Sequence, residues 1–452
     1  MHHPGQEAVP LTLPQLLMHR TRRDGTDSGP TLELSYRIEG PLDVPAFIAS
    51  IGDVVSSHDA LRLAICECGV AGPHQWARET PPPAELVTCQ IIKAGSEERF
   101  TRYAVGLATK DVAEGWDLRT ELPFRLRLLQ YSPGLHAFIA TFSQLAVDGS
   151  VRGIFGGDLW WAYRRRLGDH EAVAEPSPRF LDAAAEREAP AANSRDIADF
   201  WRRRYARIPR DWGFRASSAP GAPATPDVAG TPAAAGTPDT AETGTAESGN
   251  VVTGFVLEGE RLRTMRQAAR SNSATEFIWI QHALVSAVFE HTDADSVPVW
   301  LPVDTRSLRE RRLLGMLTLG LPMVVDRSTA PSDLVRTLTG DWFDTLKHRR
   351  VTRETVDAGE VADLGNLVGG PERDVRFAYV GHPRHRIRDT VGDLAVTYGA
   401  YAPLIERVVS GVQLKAGSWD DSVHFRLTFN RSRLTETAAR QMTAAVERIL
   451  LG

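Results

Sequence analysis

Apolar and polar side chains alternate from Thr31 to Ile38, the period expected of a strand with one buried face. From Val44 to Ser57 the period changes. Phe47, Ile48, Ile51, Val54 and Val55 fall at helical spacing on one side, as an amphipathic helix requires. Phe124–Leu129 and His136–Phe142 read as successive strands parted by the turn residues Ser132-Pro133-Gly134, and a helix over Val151–Arg166 follows. The same alternation returns later in the chain: strand Val251–Leu257, helix Phe277–Glu290 and strand Val297–Val303. Strands Val375–Val380 and Val423–Phe429 and a closing helix, Glu436–Leu451, complete the pattern. It predicts an α/β protein of two lobes with mixed rather than purely parallel sheets.

Between the two halves the patterning stops. Ala216–Asn250 consists largely of Ala, Pro, Gly, Thr and Ser, without an aromatic, Lys or Arg, and Val228 is its one larger aliphatic. Such a segment buries too little apolar surface to offset its ordering entropy, so a flexible linker or insertion is expected. Compact domains rarely hold a structureless run of this length, since most loops have about 4–6 residues. The expected division is therefore an N-terminal lobe over 10–215, the linker over 216–250 and a C-terminal lobe over 251–452.

Composition narrows the function classes. The 452 residues carry 52 Lys and Arg against 57 Asp and Glu, a net charge of −5. That balance supplies no basic domain for nucleic acid. Three cysteines are too few for a disulfide framework, and no Cys/His set has metal-ligand spacing, so no metal is expected. No run approaches eighteen apolar residues, and Met1-His2-His3-Pro4-Gly5 opens no signal peptide. These features predict a cytoplasmic protein with no membrane partner.

The candidate chemistry lies at Ser143-Gln144-Leu145-Ala146-Val147-Asp148-Gly149, between a predicted strand and a predicted helix. Asp148-Gly149-Ser150 has turn and helix-cap chemistry. The segment resembles the His-His-x-x-x-Asp-Gly motif of nonribosomal peptide synthetase condensation domains, members of the CoA-dependent acyltransferase superfamily. Other segments resemble that family in order along the chain. Leu11-Thr-Leu-Pro-Gln15 is similar to its opening motif, where a Gln precedes the first helix. Ser57-His58-Asp59-Ala60-Leu61-Arg62 is similar to Arg-His-Glu-x-Leu-Arg. Trp116-Asp-Leu118 with Leu122-Pro-Phe-Arg125, Leu301-Pro-Val-Asp-Thr-Arg306, and Leu314-Gly315 with Leu321-Pro322 continue the likeness.

The resemblance implies two chloramphenicol-acetyltransferase-like lobes set in a V, with the motif in a tunnel between them. Donor and acceptor would arrive on phosphopantetheine arms. It implies an acyl or peptidyl carrier protein acting in trans, since 452 residues leave no room for adenylation or carrier domains, a small-molecule or peptidyl acceptor, and no tightly bound cofactor. Asp148 and Arg306 would form a structural pair across the lobes; Ser143, Gln144 and Gly149 would stand at the reaction centre.

The departure from the motif limits the chemistry. The family's second histidine maps onto Gln144, and a carboxamide offers an acceptor and two N–H donors but does not titrate near neutrality. Gln144 can orient an amine or meet an oxyanion; it cannot be a general base. Ser143 lacks the Gly-x-Ser-x-Gly elbow of an activated serine. His58, His136, His282 and His424 are expected to be core or surface residues. The basic runs at Arg164–Arg166, Arg202–Arg204, Arg309–Arg312 and His348–Arg350 are expected on solvated helix faces and helix ends. Two roles remain open: amide, ester or ring formation from a carrier-bound thioester, and a non-catalytic module that docks a carrier-bound peptide beside a tailoring enzyme.

Overall fold

The computed structural model describes residues 8–20, 31–66, 72–169, 177–188, 194–208, 249–352, 375–380, 388–402, 409, 411–419 and 421–452. The expected linker, apart from its last two residues, lies outside them. Two six-stranded mixed sheets carry the fold. A three-stranded sheet joins β1 (Val9–Pro10), β4 (His74–Ala77) and β3 (Leu63–Cys66).

The first large sheet runs β12 (Arg388–Val391), β13 (Leu394–Tyr398), β2 (Thr31–Glu39), β7 (Leu135–Ser143), β6 (Phe124–Ser132), β5 (Val87–Ile91). Only its β5–β6 pair is parallel. The alternation predicted for β2 turns Leu32, Leu34 and Ile38 toward α2 (Val44–Ser57) and α5 (Val151–Arg166), where Phe47, Ile51, Phe155 and Leu159 meet them. Asp43 starts α2 by accepting the Ala46 N–H, with Pro45 in the first turn. The other face of β7 and β6 is covered by Phe100, Ala104 and Ala108 of α4 (Glu97–Ala113). Coverage on both sides buries β7 along its whole length.

The second sheet runs β10 (Thr318–Asp326), β9 (Ser296–Asp304), β11 (Val375–Val380), β14 (Val412–Ser418), β15 (Ser422–Asn430), β8 (Asn250–Glu258). Here β11 is parallel to both of its neighbours. One face packs on α8 (Gly259–Ser271), α9 (Glu276–His291), α10 (Pro331–Lys347) and α11 (Glu436–Leu451), burying residues such as Ile280, Leu284, Phe377, Leu414, Leu427 and Met442.

A boundary between 215 and 251 does not separate these cores cleanly. β12 and β13 come from the second half of the chain yet extend the first sheet. Leu313, Leu314 and Leu317 also enter the first core. In return Leu13 and Leu17 of α1 (Leu13–Arg20) and Ile197 and Trp201 of α7 (Ser194–Tyr205) enter the second core. The exchange ties the two lobes together. Cys66 is disulfide-bonded, a single bridge where the cysteine count had argued against a disulfide framework; exposed Cys89 is free. Among the described residues no helix is long and apolar enough to cross a membrane.

Candidate functional site

Ser143 closes β7, and Gln144 to Ala146 turn the chain back. The Ala146 and Val147 N–H groups donate to the Ser143 carbonyl at 3.0 and 3.2 Å, and the Leu145 N–H donates to Ser143 Oγ at 3.4 Å. Ser143 is buried, and no histidine among the described residues hydrogen-bonds it, so nothing activates its hydroxyl. Leu145, Ala146 and Val147 are buried apolar anchors. Gln144 is half-buried between them and solvent, with no side-chain hydrogen bond among the described residues.

Two polar braces hold this turn, and a third joins the elements around it. In the first, Gln15 Nε2 donates to the Leu145 carbonyl at 2.8 Å, while its Oε1 accepts the Thr12 N–H at 2.9 Å. Gln15 and Gln75 also join their carboxamides, and Gln75 Nε2 donates to the Pro10 carbonyl. Gln15 therefore lies inside α1, not before it as the motif likeness implied, and its target is the backbone next to Gln144.

The second brace is Asp148 with Arg306, which stands just after β9. Arg306 Nη1 donates to Asp148 Oδ2 at 2.8 Å and Nη2 to Oδ1 at 3.1 Å. Their side chains are 4% and 3% exposed, so the pair is desolvated as well as bidentate. Asp148 also accepts from the Leu317 N–H, Thr318 Oγ1, the Ser150 N–H and Ser150 Oγ. Arg306 further donates to the Leu313 and Gly315 carbonyls and to Asp304. Burial alone would raise the Asp148 pKa, but the Arg306 charge and these donors hold it below the usual carboxylate range. Ser150 does not cap α5, as the sequence suggested: it is already helical and spends its hydroxyl on Asp148. Gly315 fits because a Cβ there would come within 2.1 Å of the Phe180 ring.

The third brace joins α2, α5 and the second half of the chain. His58 Nε2 pairs with Asp158 Oδ2 at 2.8 Å, and Arg312 pairs with the other Asp158 oxygen. Ser177 Oγ contacts His58 Nδ1 and donates to the Arg312 carbonyl at 2.8 Å. The Ser177 proton is thus spent on a carbonyl, so this Ser, His and Asp series holds structure and does not prime a nucleophile. Next along the chain, Asp59 accepts the Phe180 and Leu181 N–H groups that open α6 (Phe180–Glu188).

The remaining candidates lie elsewhere or serve packing. Gly149 is exposed with open space where a Cβ would stand. His136 is buried in β7 with neither ring nitrogen hydrogen-bonded among the described residues, His282 stacks on Trp279, and His424 lies edge-on to Trp419. Several basic-run residues are engaged within the fold: Arg166 with Asp53, Arg204 with Asp341 and Thr345, Arg312 with Asp158, Arg349 with the Arg306 carbonyl. A small cleft is lined by Thr12, Arg187, Thr305, Arg350 and Thr352 among others, and Gln144 is not in its lining. The sequence reading missed the contribution of Gln75 and of Ser177. Neither stands in a motif, so no local signal marked it.

The chain belongs to the condensation-domain family, whose model matches residues 5–356. It is 26% identical over 312 residues to the probable non-canonical nonribosomal peptide synthetase CymA of Salinispora arenicola. That match covers 67% of this chain and 4% of the relative, so the chain spans a small part of that protein's length. Its fold is that of the X-domain crystallised in complex with OxyB from teicoplanin biosynthesis, with a TM-score of 0.72 at 18% identity over 100% of this chain and 94% of that one. The first condensation domain of the calcium-dependent antibiotic synthetase, solved with a substrate analogue, gives a TM-score of 0.72 at 15% identity, covering 98% of this chain and 96% of that one.

Proposed function

We propose that the chain serves natural-product biosynthesis as a condensation-type acyltransferase. It forms an amide or ester, or closes a ring, from a thioester carried on the phosphopantetheine arm of an acyl or peptidyl carrier protein. The acceptor is a small molecule or a carrier-bound peptide. Gln144 positions the nucleophile and takes no proton. The observation that carries this reading is an unengaged carboxamide on a turn whose backbone is fixed by Gln15 and, at its far end, by Asp148 and Arg306. In the amide case the amine nitrogen attacks the thioester carbon, the C–N bond forms and the C–S bond breaks. The departing pantetheine thiolate takes up the proton that the new ammonium loses. A thioester is already activated, so placement of the two reactants supplies much of the acceleration.

The test is product formation by mass spectrometry with a pantetheine-loaded donor and an amine acceptor. Gln144→Ala loses one neutral hydrogen bond, about 0.5–1.5 kcal/mol or up to roughly tenfold in rate. Gln144→His keeps or raises turnover. A loss of four or more orders of magnitude in Gln144→Ala would contradict simple positioning. One observation favours a second reading, a docking module without turnover: residue 144 cannot titrate near neutrality. In that case no variant turns over, and carrier-protein binding survives every change at 144.

A further inference from the structure

Of the basic run His348–Arg350, the fold engages the first two residues and leaves the third. His348 Nδ1 bonds the Asp344 carbonyl at 2.7 Å. Arg349 donates to the Leu346 carbonyl at 2.7 Å and to the Arg306 carbonyl at 3.1 Å, and the next two residues, Val351 and Thr352, are buried. Arg350 between them is exposed, with no hydrogen bond or ion pair among the described residues. It shares a cleft with Arg187 of α6, Thr305, and the start of α1 at Thr12 and Leu13. No acidic residue lines that cleft.

What the cleft offers is positive charge and N–H donors. Arg187 is 8% exposed. It donates from Nε and Nη2 to the Glu310 carboxylate at 3.2 and 3.0 Å, from Nη1 to Thr305 Oγ1 at 3.0 Å and from Nη2 to the Thr305 carbonyl at 3.2 Å. A guanidinium carries two N–H groups on Nη1, so one of them has no partner among the described residues. Glu310 offsets the Arg187 charge, and no described residue pairs with Arg350. The hydroxyl protons are already spent: Thr305 Oγ1 donates to the Leu317 carbonyl at 2.6 Å and Thr12 Oγ1 to Gln15 Oε1 at 3.1 Å. α1 opens here without an acidic residue in its first turn, so the positive end of its dipole adds to the field. Burial, opposed by Glu310 and reinforced by the Arg350 charge, holds the Arg187 pKa below the ordinary arginine value. A group entering this place must accept hydrogen bonds and carry negative charge. The cleft has about 280 Å³ with its open mouth included, less than the ~300–1,000 Å³ of pockets that hold a whole drug-sized ligand. It takes a head group.

We propose that the cleft between Arg187 and Arg350 binds a singly charged oxyanion, the chemistry shared by a carboxylate and a phosphodiester. Two guanidiniums less one carboxylate leave one positive charge for one negative charge. The cleft also lies beside the turn at 144, because the Gln15 carboxamide that accepts from Thr12 donates to the Leu145 carbonyl at 2.8 Å. An anion held there anchors the charged end of a substrate, or of the arm that carries it, next to that turn. The inference goes beyond the reaction proposed above, since it requires binding and no turnover.

The probes are acetate with its neutral methyl ester, and dimethyl phosphate with neutral trimethyl phosphate, titrated into the full chain at low salt by saturation-transfer NMR. At least one anion should bind about tenfold or more tighter than its neutral counterpart, as one charge-assisted hydrogen bond provides. The anion with the larger preference names the source: dimethyl phosphate the carrier's arm, acetate a carboxylate of the substrate. Arg350→Gln should remove most of the preference and Arg350→Lys should keep most of it, with unchanged melting temperatures showing that both are folded. Lys347→Gln, an exposed cation one turn away on α10, should leave it intact. Phenylglyoxal labelling of the native protein, mapped by mass spectrometry, gives a readout free of variants: the preferred anion should slow modification of Arg350. Equal binding of anions and neutral esters, a preference that survives Arg350→Gln, or an Arg350 that the anion does not protect would overturn the proposal. So would an equal loss in Lys347→Gln, which would mean diffuse surface charge and not a site.

Discussion

The Asp148–Arg306 pair offers the sharpest test of how the site is built. Asp148→Ala, Arg306→Ala and the double variant make one thermodynamic cycle, read by urea denaturation with tryptophan fluorescence. Both side chains are almost wholly buried, and breaking a buried pair by removing one partner costs about 3–5 kcal/mol. Domain stabilities run about 5–15 kcal/mol, so either single change should move the midpoint far outside error. The two losses should differ. After Asp148→Ala, Arg306 still has Asp304 at 2.9 Å, a carboxylate open to solvent. After Arg306→Ala, Asp148 keeps only neutral donors from Leu317, Thr318 and Ser150, so this change should cost more. The coupling energy should be about 2–3 kcal/mol, the upper range for contacting residues. Acid should erase it. Asp148 has a folded pKa below its unfolded value near 3.8, so its contribution is present above that value and is lost as pH falls through the lower folded one. Additive single variants at pH 7 would refute the pairing, and a coupling that persists undiminished into strong acid would refute its ionic character.

Three further outcomes follow from the same geometry. Gly315→Ala drives a methyl into the Phe180 ring and should cost about 1–3 kcal/mol as overpacking, whereas Gly149→Ala meets nothing within 4 Å and should stay within about 0.5 kcal/mol; thermal melts separate them. Gln15→Leu strips the Leu145 carbonyl of its side-chain donor and should cost about 1–3 kcal/mol for the buried group, read by denaturation. His136 is held below its ordinary pKa near 6.5 by burial, so the stability it contributes is present above pH 6.5 and falls as the pH drops below it; His136→Leu should flatten the stability curve between pH 7 and 5, and an unchanged slope would count against the assignment.

Much of the fold is legible because hydrophobic periodicity reports which face of an element is buried. The helix expected over Val151–Arg166 is observed over those residues. The strand expected over His136–Phe142 grows by one residue at each end, since the hydrogen-bond ladder continues past the last apolar side chain. Periodicity does not say which sheet a strand joins. β12 and β13 are short, and nothing in their residues directs them to β2 in place of their sequence neighbours; that choice is made by long-range pairing. At the site, Asp148 and Arg306 were reachable because two motifs name them. The action of Gln15 on a backbone carbonyl was not, because an acceptor without a side-chain identity leaves no mark in sequence.

The braces of the turn at 144 and of the helix after it share a property that bears on which side chains the turn can carry. Gln15 grips the Leu145 main chain, Asp148 grips Arg306 and the Leu317 N–H, and His58 grips Asp158. None of them uses the side chain at 144. The geometry of the turn is therefore uncoupled from the identity of that residue, and an imidazole or a carboxamide can be carried on the same backbone at little structural cost. Gln144→His should accordingly melt within a degree or two of the native protein, because it removes no observed hydrogen bond and fills no closed space. A large destabilisation would mean that the carboxamide is itself part of the brace. The unchanged melt, set beside the turnover of the same variant, assigns any difference in rate to the functional group at 144 and not to a displaced loop.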